Sequence, residues 1–158
     1  MVRIATAATI LILVIAISFT FNSASAQTIV NGSFETGDFQ GWTVLQQPGS
    51  SGDWIIYSGN AFFNLPSPPV GNFAAVTQQF GPGSQVLFQD IFVPAGENAL
   101  CSVIVYYNNT AGEFVIGPGL AYALDANQQA RIDIISTDAD PFTVSSGLLL
   151  NVFQTLPR

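Results

Sequence analysis

Residues 130–136 read ARIDIIS, and apolar and charged side chains alternate along them. Ile132 and Ile134 fall on one side of an extended chain, Arg131 and Asp133 on the other. Successive side chains of a strand point to opposite faces, so this period of two predicts a half-buried β-strand. Outward from it, SQVLFQDIFV (84–93) and ALCSVIVYYN (99–108) are longer runs rich in Val, Ile, Phe and Tyr. They end at Pro94-Ala95-Gly96 and at Asn108-Asn109-Thr110-Ala111-Gly112, residues that favour turns. DWIIYS (53–58), FAAVTQQF (73–80) and LLLNVFQT (148–155) are three further strand candidates, with GPG at 81–83 and at 117–119 as punctuation. LAYALDANQQA (120–130) is the one segment helical propensity could claim. It is short, lacks a clear N-cap and leads straight into ARIDIIS, so it reads as strand plus turn. Short strands separated by Gly, Pro and Asn clusters predict an all-β fold, an antiparallel β-sandwich in which each sheet buries one face against the other. QQPGSSG (46–52) and NLPSPPVG (64–71) read as loops within that domain.

The start of the chain has a different character. Arg3 precedes an uncharged apolar run over 10–21, and Ala24 and Ala26 form a small-x-small pattern before Gln27. These features predict a secretory signal peptide over residues 1–26, followed by one β-sandwich domain over 27–158. The apolar run falls short of the roughly 20 residues a membrane-spanning helix needs, so no membrane span is expected after cleavage. Secretion follows as the expected localisation, to the periplasm or cell surface in a bacterium.

Three basic residues stand against ten acidic ones, with no His and no Lys, for a formal charge of −7. Binding to nucleic acid or to an anionic membrane rests on clustered Lys and Arg, and this chain has no such cluster. Cys101 is the sole cysteine and lies within ALCSVIVYY, which predicts a buried, inert thiol and rules out a disulfide within the chain.

The stretch NGSFETGDFQGW (31–42) combines turn formers with three spaced aromatics. Asn31 and Gly32 tolerate left-handed backbone angles and Gly37-Asp38 makes a second turn, so that Phe34, Phe39 and Trp42 can pack around a polar elbow. This stretch resembles the start of secreted jelly-roll domains of the galactose-binding-like type, several carbohydrate-binding modules among them. PPVGNFAAVTQQFGPGSQVLFQDIFVPAG (68–96), NQQARIDIIS (127–136), DADPF (138–142) and NVFQT (151–155) extend the resemblance over most of residues 27–158. The elbow and the Gln89-Asp90-Ile91 strand are its distinctive parts. Such domains finish with further strands, the last carrying an acidic pair before alternating Val residues, whereas here Leu156-Pro157-Arg158 follows directly on a strand-like run. A bare sheet edge prone to self-association is the expectation drawn from that departure.

The resemblance implies a structural calcium ion bound through Glu35, with Asp38 as a local helper, although the late acidic residue that the family pattern adds is missing. Calcium takes six to eight oxygens, so these two carboxylates are an incomplete set. The resemblance also implies a glycan or polysaccharide ligand. Such ligands stack on exposed aromatic faces beside hydrogen-bonding side chains. Trp54, which follows a flexible loop, with Tyr57 three positions on and with Asp53 and Arg131 for hydroxyl groups, is the expected ligand-binding set; core packing is the competing reading of Trp54. Tyr106, Tyr107 and Tyr122 are further candidate platforms, and Asn60, Gln78 and Gln89 further hydrogen-bonding candidates.

Catalysis is poorly served. Without His or Lys no Ser-His-Asp triad, Schiff base or His-ligated zinc can be assembled. A carboxylate pair drawn from Glu35, Glu97, Glu113 and the Asp residues is the one formal route to hydrolysis, yet Glu97 and Glu113 sit in turn-like PAGEN and TAGEF segments. The expectation is an exported, non-catalytic carbohydrate-binding-like module. The alternative is a structural or adhesive extracellular protein using the same fold for protein contacts alone.

Overall fold

The computed structural model describes residues 2–8 and 12–20 by their backbone, together with 29–59, 65–79, 81–108, 119–120 and 128–155. The chain is all-β, with no helix among the described residues. Nine strands run in order: β1 (Val2–Ala8), β2 (Ile12–Thr20), β3 (Thr43–Gln46), β4 (Asp53–Tyr57), β5 (Ala74–Gln78), β6 (Gln85–Ile91), β7 (Leu100–Asn108), β8 (Ala130–Ser136) and β9 (Leu148–Gln154). They form two antiparallel sheets, one ordered β3-β6-β1-β8-β9 and the other β4-β5-β2-β7.

The six strand candidates read from pattern correspond to β4 through β9, and β8 covers 130–136 as expected. β3 was not marked by pattern because four residues directly after Trp42 are too few to show a period. β1 and β2 lie within the segment that reads as a leader, yet both are paired inside the sheets. The expected cleavage site, Asn60, Glu113, Tyr122 and most of 120–130 lie outside the described residues.

Side chains from both sheets meet in one apolar cluster. Leu87 and Ile91 of β6 and Ile132 of β8 pack with Trp54 of β4 and Ala75 of β5, and Ile29, Phe34 and Trp42 close that cluster from the elbow. A second cluster gathers Val86, Phe88 and Ile135 with Leu120, and Phe142, Val144 and Leu148 pack against it. The two faces of β6 thus feed different clusters, odd positions one and even positions the other, which is why that strand is buried almost throughout.

One expectation about β8 is corrected. Alternation puts Arg131 and Asp133 on the face opposite Ile132 and Ile134, the open side of a half-buried strand, yet both are buried. A buried charge persists when it is paired and its remaining hydrogen-bonding capacity is used. Arg131 Nε donates to Asp133 Oδ2 at 2.8 Å and Nη2 to Oδ1 at 3.2 Å, the two side chains lying two positions apart on the same face. From β9, Gln154 Oε1 accepts from Arg131 Nη1 at 2.8 Å and Asn151 Nδ2 donates to Asp133 Oδ1 at 2.6 Å. Polar side chains of β9 therefore complete the pair, and alternation alone could not distinguish this from solvation.

Candidate binding surface

The elbow is built by local hydrogen bonds. Phe34 N–H donates to Asn31 O at 3.1 Å, Gly37 N–H to Phe34 O at 2.9 Å and Trp42 N–H to Phe39 O at 2.9 Å, three consecutive turns. Asn31 has a φ of 51°, a left-handed angle that Asn tolerates. Phe34 is also left-handed, at 62°, which is costly for a bulky side chain and persists only where packing compels it. Its ring is fully buried, tilted against Trp42 with centroids 5.2 Å apart and edge-on to Phe39 at 6.2 Å. The indole Nε1–H of Trp42 donates to Asn31 O at 3.1 Å, so Trp42 is satisfied inside the core.

Gln89, in the middle of β6, fastens this elbow to the sheet. Its Oε1 accepts from Val30 N–H at 2.7 Å, and its Nε2 donates to Val30 O at 3.0 Å and to Gly41 O at 2.7 Å. Gly41 has a φ of 84°, and a Cβ there would lie 2.7 Å from Val30 Cγ1 and 3.1 Å from Gln89 Nε2. The two distinctive stretches of sequence are therefore one physical unit, with the amide of Gln89 supplying the bonds that a neighbouring strand would otherwise make. Expected from sequence to reach a sugar, Gln89 instead spends its amide on backbone.

Glu35 clasps a different segment. One carboxylate oxygen accepts from Asn72 N–H and from Phe73 N–H, both at 2.9 Å, and the other from Asn72 Nδ2 at 3.3 Å. The Phe73 N–H bond is the largest influence holding its carboxyl below the ordinary value; the bonds from Asn72 add to it and partial desolvation opposes it. Asp38 accepts from Thr36 Oγ1 at 2.6 Å and from Gln40 N–H at 3.0 Å, and these bonds, Thr36 first, likewise lower its pKa. In this arrangement both carboxylates accept hydrogen bonds from neighbouring N–H and O–H groups. Among the described residues no group of three or more His, Cys, Asp or Glu side chains clusters together.

The segment that Glu35 holds is the end of the proline loop, 65–73, and the start of that loop is held by Tyr57. The Tyr57 hydroxyl donates to Leu65 O at 3.1 Å from within a cluster of Ala74, Val76, Ile55 and Leu65. Pinned at both ends, the loop stands beside β7 and encloses a hollow of about 350 Å³ lined by Pro66, Ser67, Pro69, Ile104, Val105 and Tyr106. A close approach shapes its far end: at Gly71, with a φ of 69°, a Cβ would clash with Glu35 Oε1.

No family model, curated protein or solved structure matches this chain.

Of the expected ligand set, Trp54 and Tyr57 are buried, 4% and 1% exposed, and neither offers a ring face to a ligand. Trp54 belongs to the main core, and Tyr57 acts on the surface only through the loop it anchors. Arg131 is committed to Asp133 and Gln154. Asp53 is exposed and accepts a short hydrogen bond from Gln46 Nε2. The residues expected to act together are thus dispersed among the core, β8 and the β3–β4 surface.

A run of exposed apolar groups lies along β7. Its inward positions Cys101, Val103 and Val105 pack against the core, while Leu100, Ile104 and Tyr106 face outward and are exposed. Partial burial raises the Cys101 thiol above its ordinary pKa. Tyr107 reaches across to Phe153 of β9, with ring centroids 5.8 Å apart, so β7 and β9 lie at the same margin of the two sheets. Exposed Leu149, Leu150 and Val152 on β9 continue the apolar surface there. The sequence did signal it: Ile104 and Tyr106 are two positions apart in a strand and so share a face.

Proposed function

We propose that this chain, with β1 and β2 retained in its sheets, is an exported, non-catalytic β-sandwich of the galactose-binding-like, jelly-roll type that works as a structural or adhesive extracellular protein through contacts between copies at the β7 margin. The observation that carries the reading is β7 itself. It is nine residues long, keeps unbroken register with β2, and has no Pro, Lys or other charge, while Leu100 stays 67% exposed. Sheet edges that must remain single are blunted by charge, proline or bulges, and an edge without them invites pairing with another chain. No other described strand pairs with the outer side of β7. β9, at the same margin, has two register irregularities against β8 and is the less regular edge. A second copy is the favoured partner because the chain is acidic overall, and an uncharged strand is where like-charged copies repel least.

A glycan ligand is the second reading, favoured by Tyr106 in the proline-lined hollow, where a ring stands beside Ser67. Sedimentation of the chain over a concentration series tests both readings. Concentration-dependent assembly lost in Ile104→Lys supports the first. A monomer at every concentration overturns it, and glycan-array binding lost in Tyr106→Ala then supports the second.

A further inference from the structure

Residues 2–20 carry two incompatible-looking signatures. Arg3, the uncharged run and the Ala24-Ser25-Ala26 site give the segment the pattern of a removable leader. In the folded chain the same segment supplies an interior strand to each sheet. β1 is paired along its whole length on both sides, from Val2↔Ile91 to Ala8↔Gln85 with β6 and from Val2↔Ser136 to Ala8↔Ala130 with β8. β2 is paired from Ile12↔Asn108 to Thr20↔Leu100 with β7, and Val14 and Ile15 pair with Val76 and Ala75 of β5.

The two sheets depend on these strands differently from the way they depend on any margin strand. β6 and β8 flank β1 and do not pair with each other, so they stand about two strand spacings, roughly 10 Å, apart. Taking β1 away leaves a slot bordered by two rows of ladder groups, in a region where β6 and β8 are largely buried. Buried backbone N–H and C=O groups without partners are strongly disfavoured, so such a slot stands open to another strand. In the other sheet β2 is the sole described strand neighbour of β7, and its loss separates β7 from β5.

We propose that residues 2–8 and 12–20 act in cis as strand donors, filling one slot in each sheet, and that residues 27–158 without them form an acceptor for a largely apolar, extended strand pair of the same kind. The leader would then have a second role before its removal, holding the sheets in register, and processing would convert a closed chain into one that takes up strands.

The native Cys101 provides a direct test in the full chain, because Phe19 is its partner in register. Directly opposed strand positions bring Cβ atoms to about 4.5–5.5 Å, near the reach of a disulfide. Oxidised Phe19→Cys is expected to form an internal disulfide with Cys101. Ala16→Cys, whose partner is Ile104 and which lies about 10 Å further along the strand, is expected to form none. Absence of the Phe19→Cys disulfide, or equal cross-linking by both variants, overturns the proposal.

A second measurement does not depend on cysteine geometry. A protease site placed within residues 21–28 allows the folded full chain to be nicked. The N-terminal fragment should stay bound through size exclusion, and a labelled peptide of residues 2–20 should exchange into its place. Elution of the N-terminal fragment alone, with the remainder keeping its β-sheet circular dichroism and gaining no peptide, overturns the proposal.

Discussion

The elbow of residues 29–42 and the strand β7 both crowd aromatic and aliphatic side chains into a short stretch, but they resolve that crowding in opposite ways. At the elbow Phe34 and Trp42 are buried, and Gln89, Asn31 and Asp38 meet the backbone groups that the turns leave over. On β7 alternate residues enter the core, while Leu100, Ile104 and Tyr106 face water. The elbow has polar side chains wherever the backbone turns away from a sheet. β7 has no charge or proline that could discourage a partner. One region is specified for closure within the chain, the other is suited to contact outside it.

The largest test of that contrast falls on Phe34. Its left-handed backbone is tolerated because the ring is enclosed by Phe39 and Trp42, so Phe34→Ala should lose about 3–5 kcal/mol of folding stability, as other buried Phe truncations do. Relief of backbone strain would not accompany the change, since Ala dislikes the same angle. Urea denaturation measures the loss. A cost below about 1 kcal/mol would mean the elbow hangs on the sheets without supporting them.

Gln89→Leu comes next. The substitution keeps bulk but strands Val30 N–H, Val30 O and Gly41 O, and partly buried groups left unpaired cost about 1–3 kcal/mol. Its effect should shrink sharply when Phe34→Ala is already present, because both act on the same turn. Independent, additive losses in the double variant would separate the clamp from the aromatic packing.

How far the sequence discloses these two regions follows from the physics of each. Strands β4 through β9 show in composition and punctuation because β-branched and aromatic residues fit pleated surfaces. The aromatic spacing and turn formers of residues 31–42 similarly disclose a packed elbow. Partner choice is less visible. Trp54 and Tyr57 have the chemistry of a stacking platform, and burial alone removes them from the surface. Arg131 and Asp133 alternate with Ile as a solvated face would, yet Asn151 and Gln154 of a strand far along the chain satisfy them. Glu35 has the chemistry of a calcium ligand, and the N–H groups of Asn72 and Phe73 reach it first. An apolar run near the N-terminus likewise does not show whether it will be read by an export machinery or paired between β5 and β7. Each of these outcomes depends on contacts distant in sequence, which periodicity does not carry.

At β7 the corresponding substitution should leave folding almost untouched. Ile104→Lys places a charge on an outward, exposed position, so monomer stability measured at low protein concentration should stay within about 0.5 kcal/mol of the parent. Self-association should nevertheless be lost. A large destabilisation would instead assign Ile104 to the core and erase the distinction drawn above.

Acid offers the finest discrimination, because the elbow carries carboxylates and β7 carries none. Glu35 and Asp38 have folded-state pKa values below the ordinary ones, chiefly through the Phe73 N–H bond and the Thr36 hydroxyl bond respectively. The unfolded chain therefore takes up their protons first as pH falls, and in that interval it binds more protons than the folded chain. Their stabilising contribution is complete above the ordinary carboxylate values, 4.5 for Glu35 and 3.8 for Asp38, and disappears as pH drops through the lowered folded values. The effect is the smallest of the series, since both groups are solvent-exposed and screened. Glu35→Gln should flatten the acid limb of a stability-against-pH profile while leaving its neutral-to-basic part parallel to the parent. Association through β7 should lack this limb, because titration of Glu35 changes the grip on Asn72 and Phe73 without altering any charge on residues 100–108. An acid limb shared equally by folding and association would show that the proline loop transmits the state of Glu35 to β7 through the hollow between them.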